Sequence, residues 1–468
     1  MGFQIKTTYK KLLADTVTPV SIYLKLRDRM PNTILLESSD HRGNENSFSF
    51  ICCQPFAGIK LENGELTSSY PDGSSRRIAL PKQGSFTAAI ENFMNDFEII
   101  NGEPGVSGLF GYLTYDAVQY FEDIAFNATK NDTKQIPDLQ YNLYRFVIAI
   151  DHFKDELCIY ENCFGEPCGT QAIEALINNR NFASYPFAVK DEEKSNFTDD
   201  EFIKLVGKGK QHCKRGDVFQ VVLSREFSRG FRGDEFNVYR ALRSVNPSPY
   251  LFYFDLGNFK LFGSSPEAQL VVKNGRSYVH PIAGTFKRTG NDESDRLSAE
   301  RLKADPKENA EHVMLVDLAR NDLAMNCSDV KVEQFREIQF YSHVIHLVSN
   351  VSGKVKKDRS VMRLVGDTFP AGTLSGAPKH KAMQLIDRYE KCSRSFYGGC
   401  IGFMGFDGTF NSAIMIRSFL SKDNRLIYQA GAGVVDGSDE KMELQEIFNK
   451  IGALRKAIDI AKQYNSIV

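Results

Sequence analysis

The chain has 468 residues, 42% of them hydrophobic and 25% charged, with a formal net charge of −1 at pH 7. It can build a large core, and its balanced charge excludes the basic surface of a typical nucleic-acid-binding protein. No apolar run approaches the roughly 20 residues of a membrane-spanning helix, and the N-terminus lacks the apolar segment of a secretory signal, so we expect a globular cytoplasmic protein.

The nine cysteines agree with a reducing compartment. Their number is odd and Cys52 and Cys53 are adjacent, which is unlike a secreted disulfide framework. Cys158, Cys163 and Cys168 recur every five residues without forming a C-x-x-C pair. We therefore interpret them as ordinary thiols rather than as a metal site.

The first part of the chain predicts strands and turns. SIYLKLRDRM at 21–30 is compatible with a helix, and TILLESSD at 33–40 predicts a strand that ends in polar residues. Turn-rich, alternating segments continue to about residue 160. The polar segment KDEEKSNFTDD at 190–200 indicates a boundary, so we predict two domains, residues 1–185 and 195–468.

Longer helices and strongly apolar strands follow this boundary. Residues 200–216 predict an amphipathic helix, and VFQVVLSREF at 218–227 predicts a strand with Gln220 in its apolar run. A lone Gln in such a strand is usually a hydrogen-bonded core amide. Glu267 falls in a small-residue turn between two strands, and the turn at 283–285 could direct backbone donors at a ligand.

A well-marked helix start follows in DPKENAEHVMLVDLARND at 305–322. Asp305 can cap the helix, Pro306 suits the first helical position, and Glu308 can close a capping box. Glu308 and Glu311 are i,i+3 neighbours, so both carboxylates can reach one cation. The alternative is a solvated acidic first turn, which many helices have.

Two further segments carry polar groups beyond this helix. His343 and His346 would face opposite sides of a strand, which disfavours a shared metal; either could be an acid, a base or a core residue. The loop at 372–378 runs into a helix that begins near Lys379 and can present N–H groups to an anion. Its spacing does not fit a P-loop.

The last hundred residues repeat the paired-carboxylate pattern. Arg417 lies within an apolar strand and needs an anionic partner from the protein or from a ligand, and the glycine-rich turn at 431–433 ends another strand. Glu443 and Glu446 open the final helix as an i,i+3 pair. If the two acidic helices converge, the four carboxylates require a hard divalent cation, for which Mg²⁺ is the best match, together with an anionic substrate.

Seven motifs occur together in one order. They are LLESSD (35–40), GYLTYDAV (111–118), PIAGT (281–285), ENAEHVMLVDLARNDL (308–323), FPAGTLSGAPK (369–379), AIMIRS (413–418) and QAGAGVV (429–435). The combination resembles the chorismate-utilising enzymes and, among them, the anthranilate synthase component I family. The resemblance covers essentially the whole chain, with the catalytic region at 200–455. It implies an α+β fold, an αββα sandwich in which two large antiparallel-rich sheets pack together with helices outside.

The resemblance also implies residue roles. The Mg²⁺ ligands would be Glu311 and Glu446, supported by Glu308 and Glu443. Glu267 would be the general acid, with His346 and Thr373 beside the reacting ring. The substrate-binding residues would be Gly284, Thr285, Tyr397, Arg417, Gly431, Ala432 and Gly433.

The implied reaction adds ammonia to chorismate and releases anthranilate and pyruvate through an aminodeoxyisochorismate intermediate. Relatives that add water instead carry a Lys at the position of Gln220, and aminodeoxychorismate synthases commonly carry a nucleophilic Lys at the position of Ala283. Both residues favour anthranilate as the product. The alternatives are an aminodeoxychorismate synthase component I and, in a different class, a non-catalytic tryptophan-binding regulatory paralogue.

Regulation and assembly are implied as well. The residues that match the tryptophan feedback site of the family are Ser38, Pro249, Tyr250 and Leu251. Ammonia would come from glutamine through a separate amidotransferase subunit, in a heterotetramer. Three residues depart from the family pattern, namely Ser395 and Asn411 and Gly437, and leave the fine geometry of the site open.

Overall fold

The computed structural model describes residues 2–38, 47–80, 85–127, 134–167, 169–179, 181–340, 344–357 and 359–466. Within these ranges, the side chains of Thr285, Lys287, Lys307, Val344, Asn465 and Ser466 are not described. The helices are α1 (Pro19–Leu26), α2 (Phe86–Asn95), α3 (Gln171–Ile177), α4 (Asp199–Lys214), α5 (Phe236–Val245), α6 (Asp292–Ala304), α7 (Pro306–Asn326), α8 (Val361–Thr368), α9 (Gly372–Ser375), α10 (Lys379–Tyr389) and α11 (Glu440–Ala461).

The strands alternate with these helices. The first twelve are β1 (Phe3–Leu13), β2 (Ile34–Glu37), β3 (Phe48–Glu62), β4 (Glu65–Ser69), β5 (Ser75–Ala79), β6 (Phe97–Ile100), β7 (Gly108–Leu113), β8 (Leu139–Asp151), β9 (Glu156–Cys163), β10 (Phe187–Val189), β11 (Lys194–Ser195) and β12 (Gln220–Gly233). The others are β13 (Tyr250–Asp255), β14 (Phe259–Ser265), β15 (Ala268–Lys273), β16 (Arg276–Val279), β17 (Ile282–Lys287), β18 (Cys327–Phe340), β19 (Val344–Val355), β20 (Gly376–Ala377), β21 (Cys400–Gly405), β22 (Phe410–Ile414), β23 (Ser418–Lys422) and β24 (Arg425–Val434).

The strand pairings form two large sheets. The first sheet runs in the order β6-β1-β9-β8-β3-β2-β13-β14-β23-β24-β12, and β10, β11 and β20 also pair with β12. The second runs β5-β4-β3-β8-β7-β21-β22-β15-β16-β19-β18, and β17 also pairs with β19. Within the described residues, all pairs are antiparallel except β1 with β6.

The long strands β3 and β8 belong to both sheets. One half of each pairs within the first sheet, and the other half pairs within the second. The change occurs at a bulge between Pro55 and Ala57, next to Gln54, whose φ of +58° lies in the left-handed region. A bulge of this kind bends a strand and increases its twist, so the two sheets can separate and stack.

Three apolar layers confirm the predicted αββα sandwich. Buried side chains of both sheets, including Phe252 and Phe403, form the layer between the sheets. Helices α1, α4, α5, α10 and α11 cover the outer face of the first sheet, with Ile451 among the buried contacts. Helices α2, α7 and α8 cover the second sheet, where Val316 is buried.

The helix starts follow from local capping. The Asp305 carboxylate accepts a hydrogen bond of 3.1 Å from the Glu308 N–H, which confirms Asp305 as the predicted cap of α7. Asp439 caps α11 by accepting from the Lys441 and Met442 N–H groups. The final helix therefore begins at Glu440, one turn before the predicted start at Glu443.

The predicted division into residues 1–185 and 195–468 remains a prediction. Strands from the two segments pair in both sheets, because β2 pairs with β13 and β7 pairs with β21. The segment between them contributes β10, which pairs with β12. In the parts of the chain that the structure describes, no helix is both long enough and apolar enough to cross a membrane.

Phe252 tests the layer between the sheets. Its side chain is 2% exposed there, so Phe252→Ala should lower the free energy of unfolding by about 3–5 kcal/mol through lost burial and a residual cavity. The matched control is Phe219→Ala, because Phe219 is 73% exposed and its truncation should change that free energy by less than about 0.5 kcal/mol. Urea denaturation measures both. Equal midpoints for the two variants would contradict the layered core.

Candidate active site

Glu267 and Thr373 form the best-defined polar pair of the predicted site. Glu267 lies between β14 and β15, where its carbonyl accepts a 3.0 Å hydrogen bond from the Ile414 N–H. Thr373, in α9, donates its hydroxyl to Oε1 of Glu267 at 2.9 Å. Burial raises the pKa of Glu267 to about 7, against the opposing effects of Thr373 and the Lys450 ammonium. A carboxylic acid with this pKa can donate a proton near neutral pH.

Lys450 is a site residue that the sequence reasoning missed. Its ammonium donates to the Gly431 carbonyl at 2.8 Å and lies 3.4 Å from Oε1 of Glu446. It also lowers the pKa of Glu267, which places its positive charge close to that carboxyl. The available signal was the i,i+4 spacing of Glu446 and Lys450 on one face of α11.

His346 on β19 pairs with Thr285 on β17 and lies close to the preceding residue, Gly284. Nδ1 of His346 is 3.0 Å from the Gly284 carbonyl, and a carbonyl only accepts, so Nδ1 carries the proton. In the neutral ring, Nε2 is then the basic nitrogen. Burial and the Arg417 guanidinium lower the pKa of His346, which favours this neutral form at pH 7. His343 lies outside the described residues.

Gly284 is required by its geometry. Its φ is +65°, and a Cβ there would lie 2.5 Å from Cδ1 of Leu302 and 3.0 Å from Oε2 of Glu308. The carboxylate of Glu308 therefore packs against the backbone of this turn. The neighbouring Thr285 pairs with His346 through its backbone, and its side chain is outside the described residues.

The prediction that Arg417 lies within a strand is wrong. Arg417 occupies a bend between β22 and β23, with a φ of +51°. The apolar residues on both sides suggest one strand, but β22 belongs to the second sheet and β23 to the first, and the bend carries the chain across. Nη1 of Arg417 donates to Oδ1 of Asn246 at 3.4 Å. Burial lowers the pKa of Arg417 and the Glu446 carboxylate opposes this effect, so these two residues interact electrostatically.

The glycine-rich end of β24 provides space for other groups. A Cβ on Gly431 would lie 2.8 Å from Oη of Tyr397, and a Cβ on Gly433 would lie 2.5 Å from Nε2 of Gln220. Ala432, between them, points the other way and is buried in the core beneath the helices of the first sheet. Only the backbone of Ala432 can therefore contribute to a site on the glycine face.

Gln220 connects β12 to the acidic helix α7. Its Nε2 donates to Oε1 of Glu311 at 3.2 Å, and its side chain is buried. The neutral amide thus lies between the Gly433 backbone and a predicted metal ligand. Ala283, on β17, is also buried.

The four predicted metal ligands lie against residues of the predicted site. Glu308 lies against Gly284, Glu311 is bonded to Gln220, Glu446 lies beside Lys450, and Glu443 is buried in the same first turns of α11 as Glu446. Among the described residues, no group of three or more His, Cys, Asp or Glu side chains is arranged to hold a metal ion. Mg²⁺ is commonly held by one or two carboxylates, with water and substrate oxygens completing its octahedron. The carboxylate donors of Glu311 and Glu446 fit this mode of binding.

Arg394 is a second residue that the sequence reasoning missed. Its guanidinium is 1% exposed and pairs with Glu390. It donates to the Leu374 carbonyl at 2.6 Å, next to Thr373, and lies over the ring of Tyr397 with its carbon 5.6 Å from the centroid. Arg394 thus contacts the ring of Tyr397 and the residue that follows Thr373, and it helps to fix the positions of both site residues.

Ser395, Asn411 and Gly437 are the three departures from the family pattern. Ser395 has a φ of +52°, and its hydroxyl donates to the Lys134 carbonyl at 2.9 Å. Asn411 is exposed on β22, and a Cβ on Gly437 would meet no atom within 4 Å. Ser395, two residues before Tyr397, is therefore the departure that lies closest in sequence to a predicted site residue.

The residues predicted to bind tryptophan lie on neighbouring elements. Leu251 on β13 pairs with Glu37 of β2, and Ser38 follows directly. Pro249 precedes β13, while Tyr250 pairs with Ser265, two residues before Glu267. The predicted feedback residues therefore lie on β13 or at the ends of β2 and β13, and β13 pairs with the strand that precedes Glu267.

Comparison with known proteins identifies the family. The family model described as chorismate binding enzyme matches residues 31–456. Anthranilate synthase component 1 of Aquifex aeolicus (strain VF5) is 35% identical, over 99% of this chain and 96% of that protein. The component 1 of Bacillus subtilis (strain 168) is 37% identical, over 96% of this chain and 91% of that protein. The crystal structure of anthranilate synthase component I from Streptococcus pneumoniae TIGR4 has a TM-score of 0.76 at 30% identity, covering 95% of this chain and 99% of that chain.

Ser395 gives a test of the backbone behind Tyr397. Ser395→Ala keeps the left-handed conformation and loses the hydrogen bond to Lys134, so the free energy of unfolding should fall by about 1 kcal/mol. Ser395→Gly loses the same bond but removes the left-handed penalty, and should be more stable than Ser395→Ala by about 1 kcal/mol. Urea denaturation of the two variants gives the order. The reverse order would contradict the strained conformation.

Proposed function

This chain belongs to the family of chorismate-binding enzymes, and we propose that it is the large, aminase subunit of an anthranilate synthase. It converts chorismate and ammonia to anthranilate and pyruvate through an aminodeoxyisochorismate intermediate, the first step of tryptophan biosynthesis. The near full-length similarity to component 1 proteins supports this assignment.

The observation that carries the choice of nucleophile is the neutral amide of Gln220. It lies 3.2 Å from Glu311, and an amide has no basic lone pair with which to activate water. Ammonia is already a nucleophile and needs no such base. Ala283 supplies no amine for a covalent intermediate, which favours anthranilate over aminodeoxychorismate as the product.

Glu267 acts as the general acid. Its protonated carboxyl donates to the C4 hydroxyl of chorismate, which leaves as water while ammonia adds at C2. The buried position, which keeps the proton on Glu267 up to about pH 7, supports this role. Thr373 orients the carboxyl through its hydrogen bond to Oε1.

The substrate carboxylates are bound by cationic groups. Arg417 binds one carboxylate, and its enclosed position strengthens that interaction because competing water is limited. Glu311 and Glu446 would hold Mg²⁺, with Glu308 and Glu443 in support. The ion would supply positive charge to polarise the ring carboxylate of chorismate, and the enzyme would then be a Mg²⁺-dependent lyase. The neutral imidazole of His346 and the backbone turns at Gly284 and Gly431 position the ring of chorismate.

The assembly and its regulation complete the proposal. A separate glutamine amidotransferase subunit supplies ammonia in a heterotetramer, and L-tryptophan inhibits at Ser38 and residues 249–251. The relatives are named component 1, which indicates a second component and supports the proposal of a partner subunit. We place the enzyme in the cytoplasm, where chorismate is used.

The direct experiment mixes the purified chain with chorismate, Mg²⁺ and ammonium chloride at alkaline pH. Fluorescent anthranilate and an equal amount of pyruvate should appear. Omission of Mg²⁺ should abolish both products. Salicylate with pyruvate would identify a water-using enzyme, and no product at all would contradict catalysis.

Glu267→Gln tests the general acid. In the wild type, the rate of anthranilate formation divided by the concentration of free ammonia should decrease as the pH rises through about 7, because Glu267 then loses its proton. Glu267→Gln should lower kcat by at least about 100-fold and remove this pH dependence. Because burial penalises the charged carboxylate, the variant should resist urea at pH 8 at least as well as the wild type. A pH profile that is the same in both proteins would exclude Glu267 as the acid.

Glu311→Gln tests the metal site. The variant should lose anthranilate formation at all Mg²⁺ concentrations while keeping the circular dichroism spectrum and the urea midpoint of the wild type. Glu300→Gln is the control, since the Glu300 side chain on α6 is 65% exposed and outside the proposed site. Near-normal turnover by Glu311→Gln would remove Glu311 from the set of metal ligands.

A further inference from the structure

A cavity of about 40 Å³ lies behind the Glu267 and Thr373 pair. Of the described residues that line it, Glu267 and Thr373 are the members of the predicted site, and neither Arg417, Tyr397 nor His346 contributes to its wall. The cavity therefore meets the predicted site at Glu267 and Thr373. A space of this size can hold about two or three water molecules.

The wall of the cavity provides partners for water. Besides Glu267 and Thr373, the polar side chains that line it are Gln269, Thr368 and Asp322. Nε2 of Gln269 donates to Oγ1 of Thr368 at 3.0 Å, which fixes both groups. Buried water needs two to four polar neighbours, and this set supplies them.

One face of α7 forms the opposite wall. Leu315, Leu318, Ala319 and Asp322 are spaced i, i+3, i+4 and i+7, so they share that face. Gly372 packs tightly against it, because a Cβ there would lie 2.0 Å from Cδ2 of Leu318. The cavity thus runs along α7 between α9, which carries Thr373, and the end of α7 that carries Asp322.

Asp322 connects the far end of the cavity to solvent. Its side chain is 18% exposed, and its Oδ2 accepts a 2.9 Å hydrogen bond from the Lys379 ammonium. Burial raises the pKa of Asp322 and Lys379 opposes this effect. Asp322 and Lys379 lie in two of the motifs that mark the family, and the proposed mechanism gives neither of them a role.

We propose that Asp322 and the water in this cavity form the proton relay that returns a proton to Glu267 after each turnover. The inference rests on the proposed function, because it requires Glu267 to be the general acid. The relay carries a proton from solvent to Asp322, along the cavity water and onto the Glu267 carboxylate, since both residues line the cavity.

The proton balance of the amination step requires that Glu267 regain one proton in each turnover. The ammonia lone pair forms the C2–N bond, and the two ring double bonds each shift by one position toward C4. The C4–O bond breaks with its electron pair on oxygen, which takes the proton of Glu267 and leaves as water. The ammonium that results releases one proton to solvent. One proton is lost from Glu267 and one is released, so the enzyme regains its starting state when one proton re-enters on Glu267.

Asp322→Asn tests the relay in the full chain with chorismate, Mg²⁺ and ammonium. The variant should lower kcat by about 10-fold with little change in the KM for chorismate. The ratio of kcat in H₂O to that in D₂O should rise above the wild-type ratio, because proton return becomes rate-limiting. Asp322→Glu should restore much of the rate. Asp317→Asn is the matched control, since Asp317 lies on the same helix with its side chain 60% exposed, and both its kcat and its ratio should equal those of the wild type.

Ala319→Val tests the same relay without touching a charge. The two added methyl groups narrow the cavity, and the H₂O to D₂O ratio should rise as in Asp322→Asn. If Asp322→Asn does not fold, the ratio measured for Ala319→Val decides whether the relay operates. The relay would be overturned if a variant with a lowered kcat kept the wild-type ratio of kcat in H₂O to kcat in D₂O. It would also be overturned if both variants kept the wild-type kcat. Failure of the wild type to form anthranilate would instead contradict the proposed function.

Discussion

The buried ion pair of Arg394 and Glu390 connects the elements that carry several residues of the predicted site. Both side chains are at most 2% exposed, and the pair is made by two hydrogen bonds, of 3.0 and 2.6 Å. Arg394 also donates to the Leu374 and Val222 carbonyls, while Glu390 accepts from the N–H and the hydroxyl of Ser224. A buried charge that loses its partner is strongly unfavourable, so these bonds form as a unit. Strand β12, helix α9 with Thr373, and the ring of Tyr397 are thereby fixed relative to one another.

Three glycines, which have no side chain, contribute to the shape of the predicted site. Gly284, Gly431 and Gly433 each lie where a Cβ would collide with a polar group, namely Glu308, Tyr397 or Gln220. Charged and polar groups can therefore approach the backbone and share one enclosed region. Burial raises the pKa of Glu267 to about 7 and lowers that of His346, so a partly protonated carboxyl and a neutral imidazole occur together among the predicted site residues at neutral pH.

Local signals in the sequence predicted the elements that depend on local chemistry. Asp305 caps α7 because its carboxylate reaches an N–H three residues on, and this can be predicted from the pattern alone. The motifs also indicated the two-sheet fold. Arg417 was misplaced because its apolar neighbours look like one strand, whereas the chain changes sheets at that residue. Lys450 and Arg394 were missed because their partners, the Gly431 and Leu374 carbonyls, become neighbours only in the folded chain.

The sharing of β3 and β8 between the sheets has a consequence for synthesis on the ribosome. These strands are made early, together with their neighbours β2 and β7. The strands that pair with β2 and β7, namely β13 and β21, follow each of them by more than about two hundred residues in the chain. The free edges of β2 and β7 must therefore wait for the emerging C-terminal half. Contacts of such large sequence separation form slowly and leave apolar strand edges exposed in the nascent chain. The N-terminal strands of this chain therefore stay incompletely paired until its C-terminal half has been synthesised.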